Sequence, residues 1–347
     1  MSDRIQIGII GAGGIFRRKH LPGLAKIEDA EVVAICNRSE ESGRKIASEF
    51  GLSAEIMTDP HALIARRDVD AVMIGTWPYK HCEFVLEALD AGKHTFTQAR
   101  MAMDLREAKA MYARAEESGL ATQICPSPLG IKGDSALRRL IREGYLGKVF
   151  NINYRSLDDD LCDPETPLHW RQMARYSGLN VLAMGMRMEW VHRWFGYAKT
   201  VTAQAETFVK ERPLAEGKRV GPVERPDTVN VLCEMENGAS AAFLFSSVAQ
   251  FRGEQRVEAY GSDGTLIYDM IPSTLWGGRP GDKGLSEIPI PEENVRTWRV
   301  EQDFIDAIET GRPVESTFYE GLKYMEFTEA VFRSVETGGT VRLPLVD

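Results

Sequence analysis

The chain has 347 residues, with 42 basic against 51 acidic side chains and a net charge of −9, a length that suits two domains better than one. Hydrophobic residues make up 43% and charged residues 27%, a globular composition with ample core that excludes a disordered or fibrous chain. The acidic balance and the lack of a Lys/Arg-rich block exclude a nucleic-acid or anionic-membrane surface on electrostatic grounds and point to small-molecule partners.

In chain order, residues 5–10 form a short apolar strand, a helix follows over 15–25, and residues 31–36 form a second strand, a βαβ unit of about thirty residues. The alternation continues with a helix at 40–50, a strand at 55–57, a helix at 60–65, a strand at 71–75, a helix at 80–91, a strand at 94–97, a helix at 104–118 and a strand at 121–124. Such an order fits a doubly wound parallel sheet. Past residue 125 a helix carrying Leu137, Leu140 and Ile141 leads into strands at 149–155, 201–207, 229–236, 239–247, 254–261 and 265–269. Glu236-Asn237-Gly238-Ala239 and Ser262-Asp263-Gly264-Thr265 between them are hairpin turns, so this sheet is mostly antiparallel. Helices at 179–195, 300–309 and 319–336 are expected to cover one face of it, and 212–226 reads as a long surface loop. The expected organisation is α/β plus α+β: a Rossmann dinucleotide-binding domain over 1–125 and a substrate-binding, self-associating domain over 126–347.

The five cysteines, Cys36, Cys82, Cys125, Cys162 and Cys233, never fall in C-x-x-C spacing, so reduced thiols are expected and neither a disulfide framework nor a zinc site. Asp158-Asp159-Asp160 lies in a polar stretch and reads as a solvated loop, which leaves no metal site. No run of about eighteen apolar residues occurs and no leader pattern precedes the first strand, so a cytoplasmic protein with no membrane partner is expected.

The first strand runs into Gly11-Ala12-Gly13-Gly14-Ile15-Phe16 and then into helix. Gly11 permits the tight turn, Gly13 lets the backbone approach a pyrophosphate, and the helix start offers N–H groups and a positive dipole end to phosphate. Phe16 stands where the fingerprint has its third glycine or alanine. The second strand ends at Asn37-Arg38 without the carboxylate that binds the ribose hydroxyls in NAD-preferring sites; Asn37 can still bind a hydroxyl and Arg38 can pair with a 2′-phosphate, so NADP is favoured over NAD.

Several segments together resemble the glucose-fructose oxidoreductase / inositol dehydrogenase / MocA family over essentially the whole chain. Besides the glycine turn these are residues 76–81, similar to the family's Thr-Pro-Asn-x-x-His, Ala91-Gly92-Lys93-His94 leading to the family's Glu-Lys-Pro position, residues 141–149, Phe304-Ile305-Asp306-Ala307-Ile308 with Gly311-Arg312-Pro313, and Val341-Arg342-Leu343-Pro344. The resemblance implies coenzyme contacts from Thr76, Trp77, His81, Gln98 and Arg100, and from Trp170 and Arg171, which resemble a Trp-Arg pair that members bring toward the coenzyme. It implies a homodimer or homotetramer as well.

The catalytic positions depart from the family. Gln98-Ala99-Arg100 replaces Glu-Lys-Pro, and in the Asp-x-Gly-x-His-x-x-Asp pattern Ala183, Arg187 and Trp190 replace Asp, His and the last Asp. Arginine cannot serve as a base, but it pairs with anions and stabilises a developing alkoxide. Residues 183, 187, 190 and 194 share one helix face, which projects Arg187 where the family's histidine stands, whereas Glu189 and Arg193 read as a helix-surface pair. His169 and Tyr154 are then the candidates for proton transfer, His169 first. The expected function is a nicotinamide-dependent oxidoreductase of a sugar, cyclitol, sugar acid or related polyol or keto-sugar. The alternatives are an enzyme that retains its coenzyme through a turnover without net redox (glycoside cleavage, elimination or epimerisation), or a non-catalytic nucleotide-binding or regulatory protein.

Overall fold

A computed structural model describes residues 4–125, 131–215, 219–251, 253, 255–295 and 297–346. The chain divides into two compact units, one of residues 1–126 with 298–325 and the other of residues 127–297 with 326–347.

In the first unit the apolar runs become six strands: β1 (Ile5–Ile10), β2 (Ala30–Cys36), β3 (Glu55–Met57), β4 (Ala71–Ile74), β5 (His94–Thr97) and β6 (Thr122–Ile124). They form a wholly parallel sheet in the order β3-β2-β1-β4-β5-β6, as the βα alternation anticipates. The order reverses between β1 and β4, and in such sheets the crevice at the carboxyl ends of the strands at that point is where ligands bind. β1 and β4 are almost fully buried, which is why they read as continuous hydrophobic runs rather than alternating ones. The helix Val300–Thr310, expected over the second sheet, packs in this unit, where the segment returns to the helical turn Leu21–Leu24. Local contacts predicted the helix but not its host, because its apolar stripe suits either sheet.

The second unit contains β7 (Val149–Leu157), β8 (Ala198–Glu206), β9 (Glu211–Pro213), β10 (Val220–Pro222), β11 (Thr228–Met235), β12 (Ser240–Ser246), β13 (Gln255–Gly261), β14 (Thr265–Asp269), β15 (Thr274–Gly278), β16 (Ser286–Ile288) and β17 (Val341–Arg342). Nine of them form a sheet in the order β16-β15-β14-β13-β7-β12-β11-β8-β17, antiparallel except for the parallel β7–β12 pair. One face carries the core, in which Phe243 meets Phe327 and Trp194 meets Tyr268. On the other face Leu232 and Leu244 stand exposed.

The stretch expected as a surface loop at 212–226 carries regular structure: β9 and β10 form their own antiparallel pair, and Arg212 is the largest fully buried side chain among the described residues. Its guanidinium donates to the carbonyl oxygens of Leu161 at 2.5 Å, Asp163 at 2.7 Å and Thr166 at 3.3 Å. A rigid fork of donors thus gathers a loop whose carbonyls would otherwise lack partners. All five cysteines are free thiols, three of them buried. Among the described residues no helix is long and apolar enough to cross a membrane, and no group of three His, Cys, Asp or Glu side chains is placed to hold a metal ion.

Arg212→Ala removes three donors at once and strands the carbonyls, so the variant should lose about 3 kcal/mol of stability. Urea unfolding measures this directly, and a loss below about 0.5 kcal/mol would show that the clamp contributes nothing.

Candidate active site

The glycine turn takes the shape a dinucleotide needs. Gly11 sits at φ +81°, where a Cβ would lie 2.9 Å from the Thr76 amide nitrogen. The Gly11 N–H donates to the Cys36 carbonyl, and the Ala12 N–H donates to Asn37 Oδ1 at 2.8 Å. Asn37 therefore pins the turn through its side-chain oxygen. Gly13 and Gly14 are exposed, and they lead into the helical segment of Phe16–His20 and Leu21–Leu24 with Ile15 as its cap; the Gly13 N–H donates to the Gly11 carbonyl at 2.7 Å and the Arg17 N–H to the Gly13 carbonyl at 3.1 Å. A Cβ on Gly13 meets nothing closer than the Gly11 carbonyl oxygen at 3.8 Å.

Phe16, which breaks the fingerprint in the sequence, is fully buried against Gly75 at the end of β4. A Cβ at residue 75 would lie 2.4 Å from the Phe16 ring. The close approach that the fingerprint's third glycine normally allows is obtained here by a glycine on the facing strand.

At the carboxyl edge of the same sheet, the hydroxyls of Thr76 and Thr97 are buried without a hydrogen-bond partner. Buried polar groups are rarely left so, and here they lie beside a turn shaped for a pyrophosphate; the residues present fit a nicotinamide dinucleotide. Arg38 is exposed at the end of β2, its guanidinium 6.0 Å from the centre of the Trp77 ring. His81 is buried, with Nδ1 at 3.0 and 3.1 Å from the carbonyl oxygens of Arg100 and Met101 and Nε2 at 2.9 Å from that of Thr76. Burial holds its pKa below the ordinary histidine value although these carbonyls pull the other way. His81 thereby ties the loop after β4 to the loop after β5, a fastening role. Gln98 and Arg100 in the latter loop are both buried.

In the second unit, Tyr154 lies at the centre of the nine-stranded sheet, opposite Phe243 on β12 and Val257 on β13. Burial pushes its hydroxyl up to about 12, only partly offset by the charge of Arg187. That hydroxyl meets no partner in hydrogen-bond geometry, Ser156 two residues along the strand being a weak neighbour. Arg187, on the helix Met184–Phe195, stacks on Trp190 at 4.3 Å from ring centre, and its Nε is buried without a hydrogen-bond partner. Trp190 meets Trp194 in turn at 6.2 Å between ring centres, whereas Ala183, expected on the same helix face, caps the helix instead. The neighbouring Glu189–Arg193 surface pair is not as expected: Glu189 is buried, and Arg193 reaches Asp134 at 3.4 Å.

Asp158, just past the end of β7, is half-buried, and burial together with nearby Asp160 raises its pKa while Arg187 opposes the rise. It belongs to the same electrostatic neighbourhood as Tyr154 and Arg187. The sequence signal was available in the Asp158-Asp159-Asp160 run, but its polar setting hid that Asp158 and Asp159 are half-buried in the fold. His169 is exposed and caps the short turn Trp170–Gln172, its Nδ1 accepting from the Arg171 N–H at 3.3 Å while Gln172 Oε1 accepts from the His169 N–H at 3.1 Å. Arg171 stacks on Trp170 at 4.4 Å.

Because Gly13 is open on its Cβ side, Gly13→Ala should melt like the parent yet bind NADH or NADPH at least tenfold more weakly, its methyl standing where a phosphate would approach. Fluorescence titration checks this; unchanged affinity for both nucleotides would place the pyrophosphate elsewhere.

Comparison with known proteins agrees with this layout. Residues 5–124 match the family profile described as an oxidoreductase family with an NAD-binding Rossmann fold, and residues 135–267 match the GFO/IDH/MocA C-terminal domain. Levoglucosan dehydrogenase of Pseudarthrobacter phenanthrenivorans is 23% identical over 99% of both chains, and myo-inositol 2-dehydrogenase of Thermotoga maritima is 25% identical over 98% of both. Among solved structures, an oxidoreductase domain protein from Kribbella flavida superimposes with a TM-score of 0.90 at 26% identity, covering 99% of this chain and 100% of that one. Levoglucosan dehydrogenase in complex with NADH shares the fold, with a TM-score of 0.89 at 22% identity and coverage of 99% and 100%. With both of its halves matched in order, the chain belongs to the glucose-fructose oxidoreductase / inositol dehydrogenase / MocA family of oxidoreductases.

Proposed function

We propose that the protein is a dehydrogenase of a sugar, cyclitol or sugar acid in which Arg187 and Asp158, rather than the family's lysine and histidine, handle the charge of the reacting hydroxyl. The observation that carries this reading is the juxtaposition in one electrostatic neighbourhood of a stacked arginine, a buried tyrosine and a carboxylate of raised pKa. The substrate class is supported by the relatives, whose names specify levoglucosan, inositol and apiose.

Alcohol oxidation removes a hydride and a proton, and the nicotinamide coenzyme supplies the hydride acceptor. The proton must go to a group of this chain. Tyr154, pushed up to about 12, keeps its own proton at neutral pH and acts as a hydrogen-bond donor. Arg187 brings a guanidinium charge that stabilises the alkoxide as it forms. Asp158 has what a base needs, a carboxylate made more basic by burial and the neighbouring Asp160. His169 is left to its capping role, with Nδ1 already engaged. Trp190, beneath Arg187, holds the guanidinium flat and offers an apolar wall to a ring face.

We further infer a preference for NADP, supported by the missing carboxylate at the end of β2 and by Arg38 standing beside Trp77, where a 2′-phosphate gains a cation already held in place. Assembly into a dimer or tetramer is supported by the exposed apolar residues Leu232 and Leu244 on the open face of the nine-stranded sheet.

On the true substrate, found by thermal-shift screening of polyols with coenzyme present, Arg187→Ala and Asp158→Asn should each lower kcat/KM by about 10²- to 10³-fold, in line with loss of a charge-assisted interaction or of a general base. His169→Asn, which keeps a capping acceptor, should retain most activity. Parental kcat/KM in Arg187→Ala would remove the basis of this mechanism. For the coenzyme, Arg38→Ala should weaken NADPH about tenfold more than NADH, and equal losses would count against 2′-phosphate recognition.

A further inference from the structure

A chain of three polar side chains runs through the apolar interior of the nucleotide-binding unit. His20 is fully buried and ringed by Phe16 at 4.6 Å, Phe96 at 5.1 Å and Trp298 at 5.9 Å between ring centres. Its Nδ1 lies 2.5 Å from Glu301 Oε1, and its Nε2 meets the amide nitrogen of Gln98. Glu301 is 1% exposed and also accepts from Trp298 Nε1, at 3.1 Å to each oxygen. Its carboxylate occupies the space beside Gly23, where a Cβ would lie 2.2 Å from Oε2. Gln98 follows β5, its N–H bonded to the Ile74 carbonyl at the sheet's carboxyl edge, and is 9% exposed.

The polarity of this chain is set by chemistry. An imidazole with one ring proton gives it to the stronger acceptor, and a carboxylate is stronger than an amide. With Nδ1–H committed to Glu301, Nε2 is left as an acceptor, so Gln98 must turn its N–H2 toward it. The amide oxygen then faces the other way. No described residue donates to it, and it is not sealed off as the Thr97 hydroxyl is.

We propose that His20 and Glu301 are positioning residues that lock the Gln98 carboxamide with its oxygen outward, as a hydrogen-bond acceptor for an N–H or O–H donor on the nicotinamide riboside half of the coenzyme. The inference rests on the coenzyme reading above and deepens it. It also gives Gln98 a reason to differ from the family's glutamate: two carboxylates flanking one imidazole would demand a second ring proton, whereas a carboxylate and an amide are satisfied by one.

Glu301→Gln is the discriminating variant. Its amide lets the ring proton move to Nε2, which forces Gln98 to turn its oxygen inward and present N–H2 to the ligand. Two-bond ¹H–¹⁵N spectra of ¹⁵N-histidine protein, assigned with a His20→Gln variant, should show His20 with its proton on Nδ1 in the parent and on Nε2 in Glu301→Gln. NADH, or NADPH if it binds more tightly, should bind Glu301→Gln about tenfold more weakly than the parent. Adding Gln98→Glu should restore affinity to within about threefold, because a carboxylate accepts on both sides; a purely structural role for Glu301 would show no such rescue. With the 3-acetylpyridine analogue, which lacks the carboxamide N–H2, Glu301→Gln loses nothing if that group is the donor and the same tenfold if a ribose hydroxyl is.

Should Glu301→Gln fail to fold, Gln98→Met removes the acceptor and reads the affinity, while the parent spectrum alone reads the tautomer. A parent proton on Nε2, or parental affinity in Glu301→Gln after its proton has moved, overturns the proposal. A parent that binds neither nucleotide fails the coenzyme reading itself, a result distinct from either of these.

Discussion

The space between Phe16 and Gly75 admits one ring and no Cβ, and much of the first unit follows from that exclusion. A methyl on residue 75 would stand 2.4 Å from the ring and 2.5 Å from the Gly11 carbonyl oxygen. With the ring in place, the chain after β1 closes into the Gly11 turn, leaves Gly13 and Gly14 exposed, and starts its helix directly from that turn. The same ring packs on His20, which stands between Glu301 and Gln98. The phosphate cradle and the acceptor at Gln98 thus depend on one packing contact, in a segment where family members reach the same closeness with a small residue on the helix.

How much of this could be read from the sequence varies with the range of the interaction. The six parallel strands were legible because βα alternation and apolar runs are local signals, and Gly11 and Gly13 were legible because position gives them meaning. Phe16 looked like a defect, since its compensating glycine lies 59 residues on, in another strand. Glu301 drew no attention, because nothing in a helix stripe says that one carboxylate faces a histidine from the start of the chain. Arg212 sat in a Pro- and Gly-rich stretch that reads as surface, and only the fold shows it gathering three carbonyls. Asp158 was hidden by its neighbours: three consecutive aspartates read as solvated, while the strand before them carries the first one inward.

The substitutions at the family's catalytic positions form a coherent set when their charges are considered together. Ala99 and Ala183 take away a cation and an anion. Arg187 supplies a guanidinium where the family has a histidine, Trp190 lies against it, and Gln98 replaces a carboxylate with an amide that meets His20. In the proposed mechanism, charge stabilisation of an alkoxide and proton acceptance are divided between Arg187 and Asp158 where the family uses lysine and histidine.

That division of labour makes net oxidation the central claim, and the fate of the hydride tests it most directly. The parent enzyme, given its polyol substrate labelled with deuterium at the reacting carbon and an excess of oxidised coenzyme, can be followed by mass spectrometry of both products. One deuterium carried on the reduced nicotinamide for each ketone or lactone formed is the predicted result. Deuterium returned to the sugar with no reduced coenzyme accumulating, or no turnover of any polyol by a protein that binds coenzyme, would contradict the account.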